Sequence, residues 1–452
     1  MKITFIGAVQ TVTGSKYLLE SNGKKILLDC GLFQGQKELR LRNWNNFPIN
    51  PAQIDAIILS HAHIDHSGYI PRLIKNGFHG KIYCTEATKA LCEILLPDCG
   101  HLQEEEAYLA NKQGYSKHKP AEALYTEQEA RDALNYFHAV NFGKKYVVLP
   151  DAFSIQFNRA GHILGAATVE ISDGYRSIVF SGDLGRLSDP IMRPPVYLSG
   201  GDYLVIESTY GDRLHHHENP LKKLAGCINQ TVKRGGSVII PAFAVGRAQA
   251  MLYYLHELKK HRCIPNVPVY LDSPLATNAT HIFGKFNAEH KLTSKQTQEV
   301  CDIATYINTV EDSKALDQQN YPMILISASG MATGGRVLHH LKMFLPEREN
   351  LILFSGYQAK GTRGDRLVSG ETEIKIHGQM IPVRAQIEQL HNLSAHADYE
   401  EILNWLHHFQ KAPAKVFITH GESNAANSLK EHIERELKWN CIIPEYLQSF
   451  DL

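Results

Sequence analysis

A chain of 452 residues, 43% hydrophobic and 21% charged, is too long for one ordinary core and too apolar for disorder, so two or three soluble domains are expected. Its 47 basic and 47 acidic residues cancel, so no global field advertises a polyanionic partner, and any grip on one must be local. No run of about 18 apolar residues occurs, no secretory signal opens the chain, and the cysteines form no C-x-x-C pair, which points away from a membrane, from secretion and from a cysteine zinc finger, and toward reduced thiols in the cytoplasm.

In chain order, the first segment reads as short strands bounded by Gly, Asp, Asn and Ser. Candidates are Lys2–Ile6, Tyr17–Glu20, Lys25–Asp29, Ala56–Ser60, Lys81–Cys84, Tyr146–Leu149, Ser154–Asn158, Ala167–Ile171 and Ser177–Ser181. Between Glu86 and Val140 the pattern turns helical, with Thr126 and Glu129 forming a capping box. From Gly211 the texture changes to regular alternation. SVIIPAFA, PVYLDS, MILISAS and NLILFSGY are continuous apolar runs, as buried parallel strands require, and RAQAMLYYLHELKKH and GRVLHHLKMFL are the helices between them. After Leu390 come a helix over Asp398–Phe409, a strand KVFITH and a final helix to about Lys438. The expectation is an α/β chain in three stretches: residues 1–210, an inserted α/β domain at 211–389, and residues 390–452 completing the first.

Residues 60–69 read SHAHIDHSGY, so His61, His63, Asp65 and His66 crowd into six positions just after an apolar strand. Ligands on a loop held by a sheet are a common metal arrangement, but one short loop cannot saturate two metals. Isolated His and Asp residues at other strand ends supply the remainder: His162 in RAGHILGA, Asp183 in IVFSGDLG and His420 in KVFITHGE. Asp29 in LLDCGLFQG either stabilises a turn or orients a ligating histidine. The run His215-His216-His217 reads as a solvated loop, and His339-His340 as part of a helix, packed or solvated.

Taken in order, Asp29, His61, His63, Asp65, His66, His162, Asp183 and His420 resemble the ligand motifs of the metallo-β-lactamase fold. The middle block adds ESTYGDR, PAFAVGRAQ, ASGMATGGR and GYQAKGTRGDR, followed by SAHAD and ITHG. This set resembles the β-CASP nucleases, the group containing RNA 3′-end processing endonucleases and ribonuclease J, here in what looks like a minimal bacterial form. The resemblance implies a metallo-β-lactamase αββα sandwich with an inserted β-CASP domain of parallel-sheet type and an active site between them. His61, His63 and His162 would hold one zinc, Asp65, His66 and His420 a second, and Asp183 would bridge, manganese being the alternative. His396 would protonate the leaving oxygen, oriented by Glu207, for which a strand-end salt bridge is the other reading.

Two metals suit phosphodiester hydrolysis leaving 5′-phosphate and 3′-hydroxyl ends. The glycine-rich turn with Ser329, Gly330, Thr333 and Gly334 either cradles a phosphate or is an ordinary strand–helix turn. Arg247 and Arg336 are candidate phosphate clamps or helix-surface cations. Relatives acting on RNA carry a histidine where His420 stands, so single-stranded RNA is the expected substrate, with a homodimer plausible. The rivals are a DNA nuclease on the same scaffold, a hydrolase of thioesters or lactams, and a catalytically dead RNA-binding scaffold subunit. The last predicts broken ligand motifs, and none is broken here.

Overall fold

The computed structural model describes every residue except Tyr115, Lys117, His216, His217, Glu218, Tyr357, Ala359, His391 and Asn392. Two members of the triple-histidine run and two residues of GYQAK therefore lie outside the described residues, and the third histidine of that run, His215, is buried rather than solvated. Contacts divide the chain into two compact units, Met1–Leu214 with His396–Leu452, and His215–Ala395.

The first unit is built on two seven-stranded sheets. One runs in the order Ser449–Asp451, Lys2–Phe5, Tyr17–Ser21, Lys24–Leu28, Ala56–Ile58, Lys81–Thr85, Phe137–Val140, antiparallel over its first three links and parallel over its last three. The other runs Cys441–Ile442, Lys415–Thr419, Tyr203–Glu207, Ser177–Phe180, Ala167–Ser172, Phe153–Arg159, Lys145–Leu149, parallel first and antiparallel after. Because side chains alternate along a strand, Ile3, Phe5, Tyr17 and Leu19 project from one sheet to meet Phe157, Val169, Phe180 and Phe417 of the other in a single buried cluster. Each such side chain contributes about 1.5–3 kcal/mol by leaving water.

Tyr203–Glu207 and Lys415–Thr419 are apolar on both faces. Their outward residues Leu204, Ile206, Val416 and Ile418 pack under the helices Tyr399–Leu406 and Ser423–Glu436 through Trp405, Leu429 and Ile433. The long helix Glu86–Gln113 packs on strands Lys81–Thr85 and Phe137–Val140 of the first sheet, which completes the αββα sandwich. One local expectation fails. Helix does not extend to Val140, because Phe137–Val140 is an edge strand parallel to Lys81–Thr85. The capping box is real: the Thr126 hydroxyl accepts from Glu129 N at 3.1 Å and Glu129 Oε2 accepts from Thr126 N at 2.9 Å, opening the helix Glu127–Ala133.

The second unit holds a six-stranded, wholly parallel sheet in the order Thr305–Ile307, Val269–Asp272, Ile324–Ser327, Val238–Pro241, Leu351–Phe354, Gln386–Gln389. Its two edge strands carry weak signals, one of three residues and one reading QIEQ, and only the four central ones are continuous apolar runs. The carboxyl ends of three adjacent central strands lead into AFAVGR, ASGMATGGR and SGYQAKGTR, at the edge of the sheet where α/β folds place ligands.

Candidate metal centre

The centre grows from the end of strand Ala56–Ile58, where the chain turns through Ser60 and His61 into the short helix Ile64–Ser67. Backbone bonds fix this loop from both sides: Ser15 N donates to Asp65 O at 2.8 Å and Cys30 N to His66 O at 2.7 Å. Gly31 permits the approach, since a Cβ there would lie 1.5 Å from the Asp65 carbonyl oxygen. Asp29 and His420 both leave their strands with positive φ, 53° and 47°, a left-handed conformation costing about 1–2 kcal/mol that the surroundings must hold.

Asp29 binds no other ligand group but one imidazole. Its Oδ1 accepts from Ser60 N at 2.8 Å, and its Oδ2 accepts from the Ser60 and Ser15 hydroxyls at 3.0 and 3.1 Å. The same Oδ2 lies 2.6 Å from His66 Nδ1, which keeps the proton on that nitrogen and turns Nε2 into the cluster. Thr209 does the corresponding work on His420, its hydroxyl lying 3.2 Å from Nδ1 and donating to the His420 carbonyl at 3.1 Å. Thr209 was not singled out by the sequence, although it stands inside ESTYG.

Two groups of ligand atoms result, His61 with His63, His162 and Asp183, and Asp65 with His66 and His420, each gathered within 4.8 Å. Ring nitrogens face one another: His61 Nε2 to His63 Nδ1 at 3.1 Å, His162 Nε2 to His63 Nδ1 at 3.3 Å, and His66 Nε2 to His420 Nε2 at 3.0 Å. Three imidazoles converging on one point cannot all satisfy each other, because a hydrogen bond needs one donor and one acceptor. A shared cation resolves that. Asp183 reaches both groups, Oδ2 standing 3.5 Å from His61 Nε2 and from His162 Nε2, and Oδ1 3.2 Å from His66 Nε2. His162 Nδ1 and Asp183 Oδ1 are buried without a hydrogen-bond partner.

Electrostatics agree with that fit at His61, His63 and His162. Burial pushes His61 and His162 well below the usual histidine range and His63 to about 4, so these three imidazoles are neutral and their lone pairs available. Burial also opposes charge on His66, but Asp183, Asp29 and Asp65 outweigh it and raise its pKa. Asp183 is likewise penalised by burial, yet His420, His66 and His61 draw it well below the carboxylate range. Nitrogen and carboxylate donors without thiolate suit a divalent cation such as zinc.

His396 stands beside this set. Its Nδ1 is 3.1 Å from both oxygens of Glu207, which is itself fixed by Leu184 N at 2.6 Å and Thr209 N at 3.3 Å. The His396 ring packs on His162 with centroids 4.4 Å apart. A reciprocal Asp398–Glu401 box opens the helix Tyr399–Leu406 just after it, and Ala397 N bonds Leu184 O at 2.8 Å, so the ring is held on a constrained turn. Burial lowers its pKa, but Glu207 and then Asp183 more than offset this and raise it to about 9.

The phosphate candidates all lie in the second unit. On the loop after Ile324–Ser327, the Ser329 and Thr333 hydroxyls share a bond at 2.9 Å and Thr333 N donates to Ser329 Oγ at 3.2 Å. Gly330 packs against Phe243, whereas a Cβ on Gly334 would meet open space. Arg336 donates to Asp272 Oδ1 at 2.7 Å and to the carbonyls of Asn308 and Ile307 at 2.8 and 3.3 Å, so it anchors the loop's exit. Arg363, in the segment carrying Lys360, grips the same loop by donating to Thr333 O at 3.2 Å. Arg247 opens the helix Arg247–Lys260 behind Gly246, which has φ 78°. His340 is neither solvated nor in plain packing. Its ring is buried between Asp272 and Asp317, with 2.6 Å contacts on both nitrogens.

Comparison with known proteins bears on the whole chain. Residues 11–105 match the metallo-beta-lactamase superfamily, residues 248–367 the Beta-Casp domain, and residues 380–444 the Zn-dependent metallo-hydrolase RNA specificity domain. The chain is 35% identical to Ribonuclease TTHA0252 of Thermus thermophilus, over 93% of each. It is 32% identical to Transcription termination factor FttA of Methanosarcina mazei, over 97% of this chain and 69% of that protein, and 30% identical to Integrator complex subunit 11 of Gallus gallus, over 98% and 72%. A crystal structure of an Enterococcus faecalis protein of unknown function shares the fold, with TM-score 0.55 and 14% identity over 100% of this chain and 99% of that one. Among the described residues no helix is long and apolar enough to cross a membrane.

Proposed function

The chain belongs to the β-CASP nucleases of the metallo-β-lactamase superfamily, and from that premise we propose that it is a ribonuclease of RNA processing or decay. Its substrate is single-stranded RNA, cut to leave 5′-phosphate and 3′-hydroxyl ends. His61, His63 and His162 would hold one divalent cation and Asp65, His66 and His420 a second, with Asp183 within reach of both groups and the donor set favouring zinc over manganese. Bound there, the pair supplies Lewis acidity at a phosphoryl oxygen and steadies charge on the attacking and leaving oxygens.

The protein's own groups do the rest. Glu207 takes Nδ1 of His396, so Nε2 is the nitrogen from which a proton passes to the leaving oxygen. Asp29 and Thr209 keep the rings of His66 and His420 turned toward the cations. Arg247 and the turn bearing Ser329, Gly330, Thr333 and Gly334 take phosphates of the strand, while Arg336, engaged by Asp272, sets that turn. The reading also includes a cytoplasmic location and pairing with a second copy of the chain.

The observation that carries it is the meeting of seven candidate ligand side chains beside a glutamate-bound histidine, in a chain 35% identical over 93% of its length to a protein named a ribonuclease. The test incubates internally labelled single-stranded RNA and matched DNA with the protein, with zinc and with chelator, beside His396→Ala. Cleavage of RNA alone, abolished by chelator and reduced about 10²–10⁴-fold in the variant, is expected. The product ladder separates internal cuts from 5′-to-3′ trimming. Intact RNA at full metal occupancy would sink the reading, and equal cutting of DNA would move it to a general nuclease.

A further inference from the structure

Lysine is rarely buried unless an acid accompanies it. Lys16 is only 2% exposed and, among the described residues, pairs with no carboxylate. Its Nζ donates to Gly14 O at a long 3.5 Å and lies over two rings, 4.3 Å from the centroid of Phe33 and 5.0 Å from that of Tyr69. Arg42 repeats the pattern, its guanidinium 4.3 Å over Tyr446 and 5.6 Å over Phe33, again without a carboxylate. Both cations line one shallow surface hollow in the first unit, about half open to solvent, together with Asn45, Asn46, Phe47 and Tyr69. Among the described residues that line it there is no Asp or Glu. Nor is there a phenolate to serve instead, since burial pushes the Tyr69 hydroxyl up to about 12.

The hollow is also pre-shaped. Asn43 clasps the backbone of Phe33 in both directions, at 3.0 and 2.8 Å, and so holds the segment that follows it against the wall. Phe47 stacks on Tyr69 at 5.9 Å between centroids. Burial lowers Lys16 to about 8, the mark of an ammonium that its own fold leaves uncompensated. Cation–π contacts on two rings offset part of that penalty, but a bound anion removes it. The hollow is tied to the metal centre through its neighbours: the Ser15 hydroxyl, next to Lys16, donates to Asp29 Oδ2, and Tyr69 N donates to the carbonyl of Cys30, whose own N donates to His66 O.

We propose that this hollow is a nucleotide subsite, in which Lys16 and Arg42 take a phosphate and the aromatic wall takes the base. It rests on the reading of the protein as an RNA enzyme, and it adds a recognition point outside the metal ligands. A phosphate alone would need only the cations. The half-exposed Phe47 ring, backed by Tyr69, and the two exposed asparagine side chains are what a base adds, through stacking and edge hydrogen bonds.

The test uses the full-length, metal-loaded His396→Ala protein, so that binding is read without turnover. Probes are a fluorescein-labelled ten-residue ribo-oligonucleotide, followed by anisotropy, and 5′-AMP. Arg42→Gln and Lys16→Met are each expected to weaken binding about tenfold, with Arg42→Lys restoring most of it. Arg42 is partly exposed, so its variants keep the test alive if Lys16→Met fails to fold. Loss confined to the oligonucleotide assigns the hollow to the strand, and loss confined to 5′-AMP assigns it to a released nucleotide. Unchanged affinities in Arg42→Gln, or a parent that binds neither probe, overturn the subsite. An intact dependence on Arg42 in a protein that never cuts RNA overturns the ribonuclease reading alone.

Discussion

His61 in the first unit and His340 in the second are both fully buried, yet their surroundings drive them to opposite protonation states. Around His61 stand other imidazoles, His66, His63 and His162, with one carboxylate, Asp183, and burial drives its pKa well down. Around His340 stand two carboxylates, 2.6 Å from its two nitrogens, and they overcome the burial penalty to raise it to about 8. One neutral ring offers a lone pair. The other is a buried cation whose charge is already spoken for. A count of histidines or of buried histidines would not separate the two; which atoms lie on each ring nitrogen does.

If that contrast is right, removing ligand capacity and removing a counter-charge should fail differently. The largest effect is expected at the metal centre, where His61→Ala or chelation should cut RNA hydrolysis by on the order of 10³-fold or more while the second unit stays folded. Metal content by atomic absorption, beside activity and far-ultraviolet dichroism, checks this. Next comes Asp272→Ala, which leaves buried His340 with Asp317 alone, takes the carboxylate from half-buried Arg336, and should cost about 3–5 kcal/mol in urea unfolding, with little change in metal content. An Asp272→Ala protein of unaltered stability would show that His340 is not an ion in the folded chain.

Asp29→Asn sharpens the first half of the comparison. It keeps the shape of the group but weakens its hold on the His66 proton, so competitive chelation should report roughly 10–100-fold lower metal affinity. The smallest effect concerns pH. His340 has a folded pKa near 8 against an ordinary 6.5, so its stabilisation is complete below about pH 6.5 and fades as pH rises through 8, by about 2 kcal/mol at most. Urea titrations between pH 6 and 9 should show that decline in the parent protein and lose it in His340→Gln.

Much of this was legible in the sequence, and the limits are physical. Strands such as Tyr17–Ser21 and Val238–Pro241 announce themselves because a buried strand needs β-branched or aliphatic side chains at fixed intervals. Gln386–Gln389 is an edge strand with no fully buried residue, so nothing compels an apolar pattern there. His61, His63, Asp65 and His66 are readable because one short loop carries them. The Asp272 partnership with Arg336 joins residues 64 apart and leaves no local trace. Lys16 is harder still: a lysine just before a strand reads as solvated, and only the rings of Phe33 and Tyr69 around it reveal that it is not.

His66 and His420 touch at 3.0 Å across a separation of 354 residues, and the whole second unit is translated between them. At about 5–20 residues per second, on the order of 20–70 s pass between the emergence of one and of the other. Through that interval the nascent chain holds an unfinished centre, with His61, His63, Asp65 and His66 present and the strand Lys415–Thr419 still missing from its sheet. The cluster is therefore completed only when that strand of its sheet has been made, so its assembly is a late event in the synthesis of the chain.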